Sequence, residues 1–340
     1  MDSEDQLVDR IAHAIPSRIA PHTGLSTKSR LRLGIGDDSA VITPASGTEW
    51  VISCDAFLEG VHFLLNGHPA DLVGYTSLVR ATSDVVAMGA TPRFFLLTLA
   101  LPASRTAAWL DRFLEGMGRA ARRLGMQLAG GDTTKFPAVS ISITVLGELP
   151  RGLAVTRSGA KPGDLIYLSG TLGRAQLGLQ LIQSGRGKKK RPNRPLEPHL
   201  FYPAIRVELG AWLAQKRVAS AMMDISDGLS TDLRRLCQAS GVGARLDARN
   251  IPCVEIPPEA RKVLPKRSLD QLQMALHGGE DYELLFTVPP EKLKLLCKAP
   301  AFPALTPIGE ITRNKNVVIM SSDGRRQPLQ SLGWDPFRKR

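Results

Sequence analysis

The feature that most constrains this chain is a series of carboxylates, each standing where an apolar segment ends. The first lies in Gly34-Ile35-Gly36-Asp37-Asp38-Ser39-Ala40-Val41-Ile42, where a glycine pair and two adjacent aspartates separate two apolar runs. Neighbouring side chains on a strand point to opposite faces, so only one aspartate can enter a shared site unless the glycines bend the chain. The rest are Asp55 after Trp50-Val51-Ile52-Ser53-Cys54, Asp84 in Ser83-Asp84-Val85, Asp132 in Gly130-Gly131-Asp132-Thr133-Thr134, Asp224 and Asp227 in Asp224-Ile225-Ser226-Asp227-Gly228, and Glu280-Asp281 after Gly278-Gly279. An Asp-Asp pair alone reads equally well as a solvated turn. Carboxylates gathered together repel unless cations sit among them, so the series as a whole points to an oxygen-rich Mg2+ site.

A chain of 340 residues is expected to form two domains. The pattern restarts around Leu149-Pro150-Arg151-Gly152, which sets the expected domains at 1–150 and 151–340. No apolar run approaches the ~20 residues needed to span a bilayer. The acidic start Met1-Asp2-Ser3-Glu4-Asp5, followed by Leu7, Ile11 and Ile15, does not resemble a signal peptide, so a cytoplasmic protein is expected. Cys54, Cys237, Cys253 and Cys297 are far apart, which argues against zinc and against a disulfide framework and reads as buried or incidental thiols. A net charge of +12 raises the question of nucleic acid. Six of the positive charges fall between Gly185 and Pro195, however, and three are at Arg338-Lys339-Arg340. Like charges between Gly and Pro read as a surface loop, and no interleaved aromatic-basic motif is present, so nucleic acid is not the expected partner.

Hydrophobic spacing predicts a helix over residues 1–17, a polar connector over 21–28, a strand before Asp37 and another over 51–55. Pro69-Ala70-Asp71 opens a helix that ends near Gly89. Residues 94–101 read as a buried strand, 107–124 as an amphipathic helix, and Gly130 to Thr134 as a turn after a short strand. Val139 to Val145 alternates strictly, the mark of a strand buried on one face, and its other face invites pairing with a second copy. Beyond the restart, strands are expected at 165–168, 221–223, 244–246, 282–288 and 317–321, and helices at 172–183, 206–215, 228–239 and 269–276. Helices and strands mix in both halves, so the class is α/β or α+β.

Asp227 opens a helix and reads either as an N-cap or as a metal ligand sharing a cation with Asp224, with Ser226 adding a hydroxyl. In Gly130-Gly131-Asp132-Thr133-Thr134 the glycines free backbone N–H groups for an anion and Asp132 offers a hard oxygen. Neither a Walker A loop nor a Gly-rich kinase loop is present. Arg157 is either a phosphate clamp or a surface arginine. His62 is either a substrate donor or a core histidine beside Phe63.

With these motifs in view, the chain from about Gly34 to Phe337 resembles the thiamine-monophosphate kinases, within the aminoimidazole-ribonucleotide-synthetase-like superfamily. The resemblance rests on the carboxylate motifs above in order, together with Thr156-Arg157-Ser158-Gly159-Ala160-Lys161-Pro162-Gly163-Asp164 and Gly278-Gly279-Glu280-Asp281-Tyr282-Glu283. It implies a two-domain synthetase-like fold, a homodimer in which N-terminal sheets pair, and ATP- and Mg2+-dependent phosphorylation of thiamine monophosphate to thiamine diphosphate. By the same resemblance Asp38, Ser53, Cys54, Asp55, Asp84, Asp132, Asp224 and Asp227 are metal positions. Gly131, Asp132, Arg157 and Ser226 face the nucleotide, His62, Glu280 and Trp334 face the thiamine phosphate, and Asp132, Asp227 and Arg157 carry the catalytic burden.

Three positions depart from the family pattern. Cys54 stands where Thr is usual, Ala81-Thr82 replaces Asn-Leu before Ser83-Asp84, and Trp334 stands where Tyr is frequent. A thiol is a poor ligand for Mg2+, so only the backbone carbonyl of residue 54 suits that ion. The rival expectations are a sibling synthetase, such as an aminoimidazole-ribonucleotide or selenophosphate synthetase, a hydrogenase-maturation dehydratase, or a silent binding protein. Selenophosphate chemistry is disfavoured by the absence of a Cys loop before Gly34, and the dehydratase by the absence of a terminal Cys. A silent protein has no use for so many mutually repelling groups.

Overall fold

The computed structural model describes residues 4–15, 30–33, 35, 39–64, 67–186, 202–335 and 337. The expected connector at 21–28, the aspartates Asp37 and Asp38, and the basic stretch from Lys188 to Pro195 lie outside the described residues. The chain divides into two compact units, Met1–Val86 with Ala90–Gly152, and Ala87–Gly89 with Leu153–Arg340. Among the described residues no helix is long and apolar enough to cross a membrane.

The first unit runs α1 (Glu4–Ala14), β1 (Arg30–Leu33), β2 (Val41–Thr43), β3 (Thr48–Leu58), α2 (Ala70–Ala87), β4 (Thr91–Leu101), α3 (Ala108–Leu124), β5 (Gln127–Lys135) and β6 (Ser140–Pro150). Strands β3, β6, β4 and β5 form one sheet in that order. The first two pairings are antiparallel and β4–β5 is parallel. Strand β6 alternates as its sequence predicts, with Ile141, Ile143 and Val145 buried and the residues between them partly exposed. Helix α3 buries Leu110, Phe113, Leu114, Met117 and Leu124 and ends on the left-handed Gly125, a common C-cap. Each such side chain contributes about 2 kcal/mol when fully buried.

Two expectations fail in this unit. Strand β4 is not buried throughout, because Leu96 and Thr98 are exposed while Phe94, Phe95, Leu97 and Leu99 are buried. Gly130 to Thr134 is not a turn but the middle of β5. Gly131 is there for close approach, since a Cβ on it would sit 1.9 Å from the Leu97 carbonyl oxygen of the neighbouring strand. Glycine in a strand often marks such an approach rather than a bend.

The second unit runs β7 (Leu165–Ser169), α4 (Arg174–Leu181), α5 (Val207–Gln215), β8 (Ala221–Asp224), α6 (Leu229–Ser240), β9 (Gly243–Asp247), α7 (Pro258–Arg261), α8 (Gln271–His277), β10 (Leu284–Val288), α9 (Leu293–Leu296), β11 (Leu305–Thr312), β12 (Val317–Met320) and β13 (Arg326–Pro328). Its sheet has the order β13-β12-β9-β11-β7-β10-β8. All neighbours are antiparallel except β12 and β9. Ile166, Leu168, Met223, Leu246 and Leu285 from the sheet pack with Leu229, Leu233 and Leu236 of α6 and Ala275 and Leu276 of α8. The class is α/β (α+β) in both units. Strand β10 begins at Leu284 rather than at Tyr282, because Glu280 and Tyr282 adopt φ of 68° and 53° and break the extended backbone.

Candidate functional site

In the first unit, Ser53, Cys54 and Asp55 are consecutive on β3, so they divide between its faces. Ser53 Oγ donates to Asp84 Oδ2 of α2 at 2.7 Å. Asp55 Oδ2 lies 3.4 Å from Arg80 Nε, also on α2. Cys54 turns the other way onto the open face, where Thr144 Oγ1 donates to its sulfur at 3.4 Å and Ser142 Oγ lies 3.5 Å away. Its side chain is therefore not a metal ligand beside Asp55, and only its backbone carbonyl remains for that purpose. The soft atom is on the wrong side of the strand. Asp132 shares a row with Thr98, Ser142 and Ala56, on the Cys54 face. It is three strand spacings from β3, roughly 14 Å. Asp84 keeps its support despite the Ala81-Thr82 departure, since the Thr82 hydroxyl bonds back to the Leu78 carbonyl at 2.7 Å and Ser53 holds the carboxylate.

His62 is fixed by its own loop. Leu58 N–H donates to His62 Nδ1 at 2.9 Å, so the proton of the neutral ring is on Nε2. The ring stacks on Phe57 at 5.6 Å. Burial, then the nearby Arg80 charge, lower its pKa to about 4. His62 is thus a neutral ring with one fixed donor.

In the second unit three segments meet at the end of β8. The Asp224–Gly228 turn receives the N–H of Glu280 on the Ser226 carbonyl at 2.8 Å and that of Tyr282 on the Ile225 carbonyl at 2.9 Å. From the C-terminal side, Trp334 N–H donates to the Asp227 carbonyl at 2.9 Å. Gly333 sits so close that a Cβ there would lie 2.0 Å from that same oxygen. Asp224, Ser226, Asp227, Glu280 and Trp334 are therefore brought together by backbone bonds. Asp227 is not an N-cap, because α6 is capped by Gly228 without a side-chain bond. Arg157 is exposed, and its carbonyl accepts from Ser240 Oγ at 3.0 Å. The adjacent Thr156 carbonyl accepts Met222 N–H at 3.0 Å, two residues before Asp224.

Asp232, Arg235 and Arg206, which the motifs did not single out, shape this region together with Asp281 and Glu283 of the Gly278-Gly279-Glu280-Asp281-Tyr282-Glu283 motif. Asp232 has no exposure. Its Oδ2 accepts Ser226 N–H at 3.1 Å and Asp227 N–H at 3.0 Å, while Arg235 donates to its Oδ1 at 2.9 Å and to Asp227 Oδ2 at 2.5 Å. Burial first and the Asp224 charge second push the Asp232 pKa up to about 7, against the Asp227 N–H and the Arg235 guanidinium. The spacing of Asp232 and Arg235, three apart on one helix face, was the signal available. Asp281 accepts Gly173 N–H at 2.6 Å and Ala175 N–H at 3.2 Å at the start of α4. Burial raises its pKa to about 7. Glu283 pairs with Arg206 and takes the Ser169 hydroxyl.

Among the described residues no three His, Cys, Asp or Glu side chains form a group that could hold a metal by themselves. The hard carboxylate oxygens nevertheless suit Mg2+, which is commonly held by one or two carboxylates and completed by substrate phosphates and water. Of the four cysteines, Cys54 and Cys297 are exposed rather than buried, and all are free thiols.

Family comparison covers both units. Residues 36–149 match AIR synthase related protein, N-terminal domain, and residues 161–321 match AIR synthase related protein, C-terminal domain. The chain is 37% identical over 316 residues to the thiamine-monophosphate kinase of Escherichia coli (strain K12), covering 92% of this chain and 94% of the relative. It is 32% identical over 338 residues to that of Bacillus subtilis (strain 168), covering 96% and 98%. Among solved structures, the thiamine-monophosphate kinase from Stenotrophomonas maltophilia K279a superposes with a TM-score of 0.75 at 34% identity, over 94% of this chain and 96% of that one. AaThiL complexed with AMPPCP and TMP superposes with a TM-score of 0.73 at 32% identity, over 89% and 92%. With both family models matched, and relatives above 30% identity along nearly its whole length, the chain belongs to the thiamine-monophosphate kinase family of AIR synthase related proteins.

Proposed function

We propose that this protein transfers the γ-phosphoryl group of ATP to thiamine monophosphate, giving thiamine diphosphate and ADP. The observation that carries this is the likeness over 89% of the chain to AaThiL complexed with AMPPCP, an analogue of ATP, and TMP. The groups that would hold Mg2+ are Asp55 and Asp84 with the Ser53 hydroxyl in the first unit, Asp224 and Asp227 in the second, and Asp38; Asp132, on the other face of its sheet, would serve apart from Asp55 and Asp84. When bound, that ion neutralises phosphate charge and draws electron density from the transferring group. The Gly131 and Ser226 backbone and the Arg157 guanidinium face the nucleotide phosphates, and His62, Glu280 and Trp334 face the thiamine phosphate.

The chain's own groups fit a direct transfer. A phosphate monoester has a second pKa of about 6, so the acceptor oxygen is already ionised near neutral pH and needs no base. His62 suits recognition instead, because its Nδ1 is taken by Leu58 N–H and its Nε2–H can only donate. The open face of the β3-β6-β4 sheet, with Ile52 63% and Leu96 37% exposed, is the surface on which a second copy would pair. The enzyme is read as a cytoplasmic homodimer. Purified protein given ATP, Mg2+ and thiamine monophosphate should form thiamine diphosphate, with no labelled protein when γ-labelled ATP is added without acceptor. Absence of thiamine diphosphate would refute the activity, and label chased from protein into product would refute only the direct route.

A further inference from the structure

Asp227 already has a cation on it. Arg235, in the middle of α6, donates to Asp227 Oδ2 at 2.5 Å and to Asp232 Oδ1 at 2.9 Å. Asp232 is wholly buried, and its other oxygen takes the N–H groups of Ser226 and Asp227. One buried carboxylate therefore fixes both the turn that carries Asp227 and the guanidinium that neutralises it. The first unit repeats the pairing, with Arg80 Nε 3.4 Å from Asp55 Oδ2. A guanidinium and a divalent ion compete for the same carboxylate lone pairs. Arg235 has a second carboxylate to stay on, while among the described residues Asp227 pairs with no cation besides Arg235, so the exchange has a defined direction.

We infer that Arg235 is a built-in counter-cation, seated on Asp227 in the metal-free protein and retained on Asp232 alone when Mg2+ occupies Asp227. The inference rests on the metal role proposed for Asp227. Two consequences follow. Metal-free protein is stabilised by Arg235, since Asp224, Asp227 and Asp232 would otherwise repel. Metal affinity is lowered by it, because only the fraction of molecules with Asp227 released can bind.

The test reads thermal midpoints of the full chain against Mg2+ concentration, at a fixed level of a non-hydrolysable ATP analogue and without thiamine monophosphate, so no turnover is needed. Arg235→Gln should lower the midpoint without metal and reduce the Mg2+ concentration for half the stabilisation by roughly three- to tenfold, the range of a half-exposed ion pair. Arg234→Gln makes the same change in net charge, but Arg234 donates to the Leu329 carbonyl at 2.7 Å and should leave the Mg2+ requirement within about twofold. In an Asp227→Asn background Arg235→Gln should have no further effect on that requirement. Arg235→Lys, which cannot bridge two carboxylates in one plane, should shift it in the same direction by less, and serves if the glutamine variant does not fold. An unchanged or raised requirement in Arg235→Gln overturns the inference while the metal assignment stands. An equal drop in Arg234→Gln reduces the effect to net charge and overturns it too. A wild-type midpoint indifferent to Mg2+ overturns the inference together with the metal assignment on which it rests.

Discussion

Individual carboxylates in this protein differ more in their company than in their chemistry. Asp84 takes a serine hydroxyl, Asp227 takes an arginine, and Asp232 takes backbone N–H groups, so the loss of each should read differently. Asp227→Asn and Asp132→Asn should each cut turnover by about 10²–10³-fold, the scale of losing one electrostatic group in a transition state. Steady-state rates at saturating Mg2+, alongside an unaltered circular dichroism spectrum, check this. Near-normal rates in both variants would remove them from the machinery. His62 gives a pH test. Its folded pKa of about 4 lies below the ordinary 6.5, so the unfolded chain binds the extra proton first. Its contribution to stability is full above about pH 6.5 and declines as pH falls through about 4. The stability of wild type relative to His62→Asn should therefore fall between pH 7 and pH 4.5 in urea titrations. A difference flat across that range would show that the ring is not held neutral.

Among the elements, β5 depends on a missing side chain. A Cβ at residue 131 would meet not only the Leu97 carbonyl oxygen but its backbone carbon at 2.7 Å and nitrogen at 3.0 Å. Gly131→Ala should destabilise the first unit by about 3 kcal/mol or more, as strain that the backbone of β4 cannot relieve. Denaturant unfolding monitored by tryptophan fluorescence measures it, and a loss below about 1 kcal/mol would mean that the strands part easily. The strictly alternating β6 and the amphipathic α3 were legible because burial on one face writes a period into the sequence. Strand β5 was not, since Gly-Gly-Asp-Thr-Thr has the composition of a turn and its constraint comes from a distant strand. Strand β11 was hidden for a similar reason. Pro307 and Gly309 read as breakers, yet they flank an irregularity in its pairing with β7. The motifs that carry Asp224, Ser226, Asp227, Glu280 and Trp334 were legible in the sequence, and backbone bonds bring their segments together at the end of β8. Asp232 was not legible, because it acts on backbone N–H groups, which carry no residue identity.

For the whole molecule, what matters is which surfaces a single copy leaves uncovered. Helices shield one face of the first unit's sheet, and the other presents Ile52, Leu96 and Thr98 to solvent. Ile52→Glu places a charge on that face and should convert a dimer to monomers in sedimentation experiments at micromolar concentration, with little loss of monomer stability. A monomeric wild type, or a dimer indifferent to this change, would put the contact elsewhere. The inverted orientation of Cys54 then acquires a use. Its thiol stands on the row of Thr144 and Leu96, so the chain carries its own chemical clock for association. The rate at which a thiol reagent reaches that sulfur, isolated by comparison with Cys54→Ser, should slow as protein concentration rises and quicken in Ile52→Glu.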